Sequence, residues 1–79
     1  MSLPQIKRIY YRTGELENEY YEVNGKIEGE LKKYHKNGNI WIICNYVNGK
    51  LCGEYKRYDE LGNIKLIRNY NSDYIIIGI

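Results

Sequence analysis

The chain has 79 residues, among them ten tyrosines, one tryptophan and no phenylalanine, and its net charge at pH 7 is +2. A chain of this length forms one domain with a small core, and an aromatic set made almost entirely of tyrosine suits half-exposed surfaces. The weak charge lacks the basic stripe that is typical of nucleic-acid binding, so we expect no nucleic-acid partner.

A pattern of tyrosine, glycine and Asn-Gly dipeptides returns every 24 residues along the chain. A fixed period in this range indicates stacked structural repeats. We place the repeats at about residues 8–31, 32–55 and 56–79, within a domain that spans 4–79, and interpret residues 1–3 as a candidate leader. The positions expected to carry the structure of the repeat are Tyr10, Gly14, Gly25, Tyr34, Gly38, Tyr46, Gly49, Tyr58, Gly62 and Tyr70.

Asn-Gly dipeptides between alternating apolar segments predict β-hairpins. Asn24-Gly25, Asn37-Gly38 and Asn48-Gly49 each suit a type I′ turn, in which both central residues have positive φ. The intervals between the breaks leave room for strands and none for helices. In chain order we predict strands near residues 5–12, 15–23, 26–35, 40–47, 50–58, 63–70 and 73–78. They form an all-β antiparallel meander, an elongated and twisted single sheet.

Alternation along a strand predicts which side chains share a face of the sheet. On this basis Ile40 lies on one face with Ile42, and Trp41 lies on the other face near Ile43. Both faces of the middle strands are then partly apolar. Either the sheet curls over itself, or one face is covered by a partner.

The final predicted strand is the most apolar segment and contains Tyr74, Ile75 and Ile77. Two interpretations stay open, because a flat apolar edge is a template for pairing with another chain. The strand folds over the core of its own domain, or it forms a contact between copies in a homo-oligomer. The run 74–79 is too short to span a bilayer and residues 1–12 contain no apolar run, so we expect a cytoplasmic protein, with peripheral membrane contact left open.

No group of side chains has the spacing of a catalytic, metal or cofactor site, and we expect none of these. Cys44 and Cys52 fall on opposite faces if the turn between them has two residues, which predicts two free thiols unless a bulge shifts the register. His35 has no cysteine or carboxylate at metal-ligand spacing. Its place is taken by Tyr11 and Asp59 in the other repeats, which suggests an exposed, variable position.

Tyr10, Tyr34 and Tyr58 are expected to form a ladder, for which two interpretations stay open. The rings stack along one stripe and support the glycine turns, or they line an aromatic groove for a peptide or a partner surface. The candidate residues of the interaction surface are Trp41, Lys32, Lys33, Lys56 and Arg57, together with Tyr74, Ile75 and Ile77 in the last strand.

The best copy of the repeat starts at Tyr34 and carries a family resemblance. The segment Tyr-His-Lys-Asn-Gly-Asn-Ile from Tyr34, followed by Tyr-Val-Asn-Gly-Lys-Leu-Cys-Gly-Glu from Tyr46, resembles the MORN repeat (membrane occupation and recognition nexus) in its bacterial variant form. The likeness covers about residues 8–71, with departures at Glu22 and at Ser72-Asp73. It implies protein–protein or membrane-proximal roles. Since no catalytic constellation is present, we expect a non-enzymatic module that binds an unidentified protein partner, with self-association through its sheet edges left open.

The resemblance also implies a second function, that of an adaptor at membranes or phosphoinositides. This adaptor would use Lys32, Lys33, Lys56 and Arg57. Bacterial relatives are described as antitoxin-like, and others carry the name phosphatidylinositol-4-phosphate 5-kinase because some such kinases have similar repeats outside their catalytic domain. This chain has no glycine-rich phosphate loop and no room for a kinase domain, so the kinase name does not transfer to it.

Overall fold

The computed structural model describes residues 3–71, which form one antiparallel sheet in meander order. Its strands are β1 (Gln5–Tyr10), β2 (Leu16–Val23), β3 (Lys26–Ile27), β4 (Gly29–Tyr34), β5 (Ile40–Val47), β6 (Lys50–Tyr58) and β7 (Ile64–Asn71). The predicted all-β meander is therefore confirmed, and the predicted strand at 73–78 lies outside the described residues. In the part of the chain that is described, no helix could cross a membrane.

Two hairpins close on two-residue turns, as their Asn-Gly dipeptides predict. Asn24 (φ 52°) and Gly25 (φ 78°) link β2 to β3, and Asn48 (φ 52°) and Gly49 (φ 83°) link β5 to β6. Positive φ at both central residues is the type I′ geometry, whose twist matches that of the flanking strands. The two turns belong to successive repeats, and the second contacts the strand that follows the first, because the Gly49 N–H donates to the carbonyl of Ile27 in β3 (2.9 Å).

The loops that follow β1, β4 and β6 use a different turn. In the loop after β4, the N–H of His35 donates to the carbonyl of Asn39 and the N–H of Gly38 donates to the carbonyl of His35, both at 2.9 Å. Gly38 has φ 95°, whereas Asn37 does not have positive φ. The type I′ prediction for Asn37-Gly38 is therefore wrong, because only the glycine takes the left-handed conformation at the end of this turn. Equivalent bonds close the loops at 11–15 and 59–63.

A bulge breaks the predicted strand 26–35 into β3 and β4. Between the pairs Glu19–Lys32 and Glu22–Ile27, β2 has two residues and the opposing segment has four. Gly29 lies in the bulge with φ 86°. The same shift recurs one repeat later between β5 and β6, where Gly53 has φ 83°. A bulge at a fixed place in each repeat increases the local twist of the sheet.

A second irregularity, next to the ladder tyrosines, exchanges the faces of the sheet. Lys33 of β4 pairs with Ile42 of β5, and the next residue of β4, Tyr34, pairs with Ile40. Trp41 is therefore an extra residue on β5. Trp41 lies on the same face as Lys33, whose ammonium is 5.0 Å from the centre of the indole ring. Ile40 instead lines a cavity together with Ile43. The predicted faces, Ile40 with Ile42 and Trp41 with Ile43, are wrong because alternation does not continue through a bulge.

The sheet is a single thin layer with almost no core. Its Cα atoms extend over 44 × 35 × 14 Å. Among the described residues, Cys44 is the one hydrophobic side chain that is fully buried, with 2% of its surface exposed. Residues 3–71 therefore do not curl into a second layer, and both faces are accessible along most of the strands.

Candidate interaction surface

The cations that the sequence places in one interaction surface are divided between two faces of the sheet. Residues that are direct cross-strand partners share a face, whereas consecutive residues of a strand point to opposite faces. We name the surfaces by their central residues: the Trp41 face carries Lys33, Trp41, Ile42 and Arg57, and the Ile43 face carries Lys32, Ile40, Ile43 and Lys56. Of the four cations, only Lys33 and Arg57 accompany Trp41.

Trp41 is held in place by aromatic and cationic neighbours. Its ring stacks on His35, with ring centres 5.2 Å apart and planes inclined by 24°. Lys33 approaches the same indole ring at 5.0 Å, which is within the range of a cation–π contact. Trp41 is half-buried, so part of its ring remains open to solvent. These contacts fix the orientation of a large aromatic side chain without covering it.

An open cavity of about 610 Å³ adjoins Trp41 at the loop after β6. It is lined by His35, Trp41, Arg57, Tyr58, Asp59, Glu60 and Lys65. The Asp59 carboxylate accepts hydrogen bonds from the backbone N–H groups of Asn63 and Leu61, both at 2.9 Å, and lies 3.7 Å from the Lys65 ammonium. These contacts, the Asn63 amide foremost, lower the pKa of Asp59 below its ordinary value of 3.8. Asp59 and Lys65 are thus already paired with each other.

The Ile43 face has paired charges and exposed apolar residues. Three of its cations lie beside a carboxylate, in the pairs Arg8–Glu19 (2.8 Å), Lys32–Glu30 (3.6 Å) and Lys56–Glu54 (3.4 Å). Near β7 this face and its loop expose Leu61 (83%), Ile64 (47%) and Ile67 (56%). Three cations of the Ile43 face are therefore paired, whereas Lys33 and Arg57 on the Trp41 face have no carboxylate partner within residues 3–71.

The ladder tyrosines form a row on the Ile43 face, but their rings do not stack on one another. Each has an aliphatic cross-strand partner, in the pairs Tyr10–Leu16, Tyr34–Ile40 and Tyr58–Ile64. Within residues 3–71 the ring–ring contacts are His35–Trp41 and Tyr55–Tyr70, the second edge to face at 5.9 Å. The prediction of stacked tyrosine rings is therefore wrong. The row alternates aromatic with aliphatic side chains.

Side chains just after the ladder tyrosines connect neighbouring repeats. The Tyr11 hydroxyl donates to the Tyr34 carbonyl (2.6 Å), and His35 Nε2 lies 2.9 Å from the Tyr58 carbonyl, which it reaches as a donor when Nε2 carries the proton. Both side chains are half-buried, and burial, aided by nearby glutamates, raises the pKa of Tyr11. The prediction that His35 is exposed is wrong. At this position of the repeat the side chain forms an inter-repeat brace, a contact with a backbone carbonyl of the next repeat. The sequence of one repeat alone does not show this contact.

The remaining residues predicted from the sequence are the two thiols and the side chains of the last predicted strand. Cys44 and Cys52 are both free, as predicted, and burial raises the pKa of the Cys44 thiol. In the described residues no group of three His, Cys, Asp or Glu side chains could hold a metal ion. Tyr74, Ile75 and Ile77 lie outside the described residues.

Comparison with known proteins identifies the repeat. A family model described as MORN repeat variant matches residues 27–48 and 51–72, which together make up more than half of the chain. The two matched segments start 24 residues apart, in agreement with the period of the sequence. No curated protein and no solved structure matches the chain significantly.

Proposed function

Because the chain belongs to the MORN repeat variant family, we propose that it is a non-enzymatic module that binds a protein partner through a face of its sheet. Repeats of this family are protein- or membrane-interaction modules. A protein partner is the better supported of the two, since Lys32, Lys33, Lys56 and Arg57 do not form one cationic surface that could lie on a membrane.

The observation that supports a partner is apolar exposure on a sheet with almost no core. Ile64, the first residue of β7, is 47% exposed, and Ile67 in the middle of the strand is 56% exposed. A single sheet with two wet faces is only marginally stable alone. Since burial of apolar surface is worth about 25 cal/mol per Å², a partner that covers one face supplies stabilisation that the sheet lacks by itself.

Photo-crosslinking from each face tests this function. Ile67 and Arg68 are consecutive residues of β7, both exposed, and project to opposite faces. We would replace each in turn with benzoylphenylalanine in the full chain, expressed in its native host, and identify adducts by mass spectrometry. We expect a discrete adduct with one protein from one of the two positions.

Competition provides the control for this crosslinking. Excess unlabelled wild-type chain should reduce the adduct, because a specific face is saturable. Adducts with many proteins from both positions, insensitive to competitor, would contradict an interaction module, as would the absence of any adduct from either face.

Self-association through sheet edges is a second candidate. β1 is the outer strand on one side of the described sheet, and it exposes Ile9 (45%) and Tyr10 (55%). An outer strand presents unpaired backbone groups to which another chain can add. Light scattering over a concentration series should show a mass that rises in the wild type and stays monomeric in Ile9→Lys. A wild-type chain that is monomeric at every concentration would exclude this candidate.

A further inference from the structure

We propose that the Trp41 face binds an acidic peptide segment, with Lys33 and Arg57 engaging carboxylates on either side of Trp41. The inference rests on the proposed function and specifies the chemistry of the partner. The two faces differ in whether their cations have carboxylate partners. Within residues 3–71, no carboxylate lies at ion-pair distance from Lys33 or Arg57, whereas Lys32 and Lys56 each have one.

The two cations without a carboxylate partner are arranged around an oriented aromatic ring. Lys33 lies on β4 and Arg57 on β6, and β5 between them carries Trp41 and Ile42. Strands in a sheet are about 4.8 Å apart, so the two cations start from backbone positions about 10 Å from each other. This spacing suits two carboxylates that flank an apolar side chain placed over Trp41 and Ile42.

The site is preorganised, which lowers the entropic cost of binding. Trp41 is fixed by its stack on His35, and His35 is fixed in turn by the Tyr58 carbonyl at 2.9 Å. Tryptophan and arginine are the residue types most often found at the energetic centre of protein interfaces. An oriented tryptophan beside two cations that have no carboxylate partner is thus complementary to a segment that combines apolar and acidic residues.

Within residues 3–71, the acidic groups near this surface form no ion pair with Lys33 or Arg57. Glu17 is the extra residue of β2 at the register shift beside Asn18, the cross-strand partner of Lys33, so it lies on the Trp41 face one strand away from Lys33. Asp59 is engaged by Lys65 at 3.7 Å and by backbone amides of its own loop. Glu60 lines the open cavity beside Arg57, and its backbone carbonyl accepts hydrogen bonds from the side chains of Asn37 and Asn39. On the next row of the Trp41 face, Arg68 of β7 adds a further cation.

The test uses a synthetic acidic peptide and the intrinsic fluorescence of Trp41, the one tryptophan of the chain. A 12-residue peptide of Glu-Glu-Leu-Leu blocks presents alternating Glu and Leu on each side when extended. We expect a saturable shift of Trp41 emission with this peptide and none with its Gln-for-Glu counterpart. Isothermal titration calorimetry would measure the dissociation constant independently of the tryptophan.

Matched double variants separate a specific face from general charge attraction. Lys33→Gln with Arg57→Gln should weaken binding at least about tenfold, because charge-assisted hydrogen bonds are lost. Lys32→Gln with Lys56→Gln removes the same charge from the same two strands, on the opposite face, and should leave binding within about twofold. Equal weakening by both pairs, or by neither, would overturn the proposal. Circular dichroism would confirm that both variants are folded.

Two further probes distinguish other anionic surfaces. Phosphatidylserine vesicles and an oligothymidine strand should bind more weakly than the acidic peptide. Vesicle binding that depends on Lys33 and Arg57, without peptide binding, would overturn the proposal in favour of a membrane. Failure of the peptide together with a discrete crosslinked protein from Ile67 or Arg68 would reject the acidic chemistry and leave the interaction function standing. Failure of both experiments would reject the function itself.

Discussion

The inter-repeat brace at His35 gives a prediction whose magnitude follows from the structure. Replacing His35 with Ala removes a hydrogen bond to the Tyr58 carbonyl at 2.9 Å and a stacked contact with Trp41 at 5.2 Å. A net hydrogen bond contributes about 1 kcal/mol and an aromatic pair about 0.5–1.5 kcal/mol. We therefore expect the free energy of unfolding to fall by about 2 kcal/mol, a large fraction of the stability of so small a domain.

Two control variants divide this loss into its parts. His35→Phe keeps the ring against Trp41 and removes the hydrogen bond, so it should cost about 1 kcal/mol. Tyr11→Phe removes the equivalent bond to the Tyr34 carbonyl (2.6 Å) and should cost a similar amount. Urea unfolding followed by circular dichroism measures all three variants. If the phenylalanine variants are as stable as the wild type and His35→Ala is only slightly weaker, the braces do not connect the repeats.

Three further predictions concern the bulge, a carboxylate and the thiols. Gly53→Ala should destabilise the sheet by about 1–2 kcal/mol in urea unfolding, because an L-residue is strained at φ 83° and no atom would contact the added Cβ. Gly53→Asn should cost less, because asparagine tolerates positive φ better than alanine. Equal costs for the two variants would exclude backbone strain as the cause. The lowered pKa of Asp59 stabilises the folded state above the ordinary value of 3.8, and this stability is lost as the pH falls through the folded-state pKa. Asp59→Asn keeps an oxygen acceptor but does not titrate, so it should lose less stability than the wild type between about pH 5 and about pH 2.5; parallel acid profiles would refute the assignment. Iodoacetamide should alkylate Cys52 before the buried Cys44, whose pKa is raised; mass spectrometry that finds equal rates would contradict this burial.

The repeat period and the hairpins could be predicted from the sequence because their signals are local. Asn24-Gly25 and Asn48-Gly49 require an unusual backbone that few dipeptides adopt, and both form the predicted type I′ turn. Asn37-Gly38 has the same letters but lies in a five-residue loop, where hydrogen bonds from His35 and Gly38 select another turn. A dipeptide therefore indicates that the chain turns, whereas the length of the loop decides how.

The faces of the sheet could not be predicted, because a bulge leaves no clear mark on the sequence. Alternation from Ile40 through Ile43 looks continuous, but the register shift at Trp41 moves the tryptophan to the face of Lys33. The candidate site depends on this shift, since it unites Trp41 with Arg57 and separates it from Lys32. The brace at His35 was also hidden, because its acceptor is a backbone carbonyl 23 residues away and any side chain of suitable reach could contact it.

The most direct test of the account is the side of the sheet on which Trp41 lies. Nuclear Overhauser contacts in the full chain, with labelled isoleucine methyl groups, would measure it. The structure predicts contacts between the Trp41 indole and the Lys33 side chain, and between the methyl groups of Ile40 and Ile43. Contacts of Trp41 with Ile43, together with Ile40 against Ile42, would show unbroken alternation and would contradict the Trp41 face.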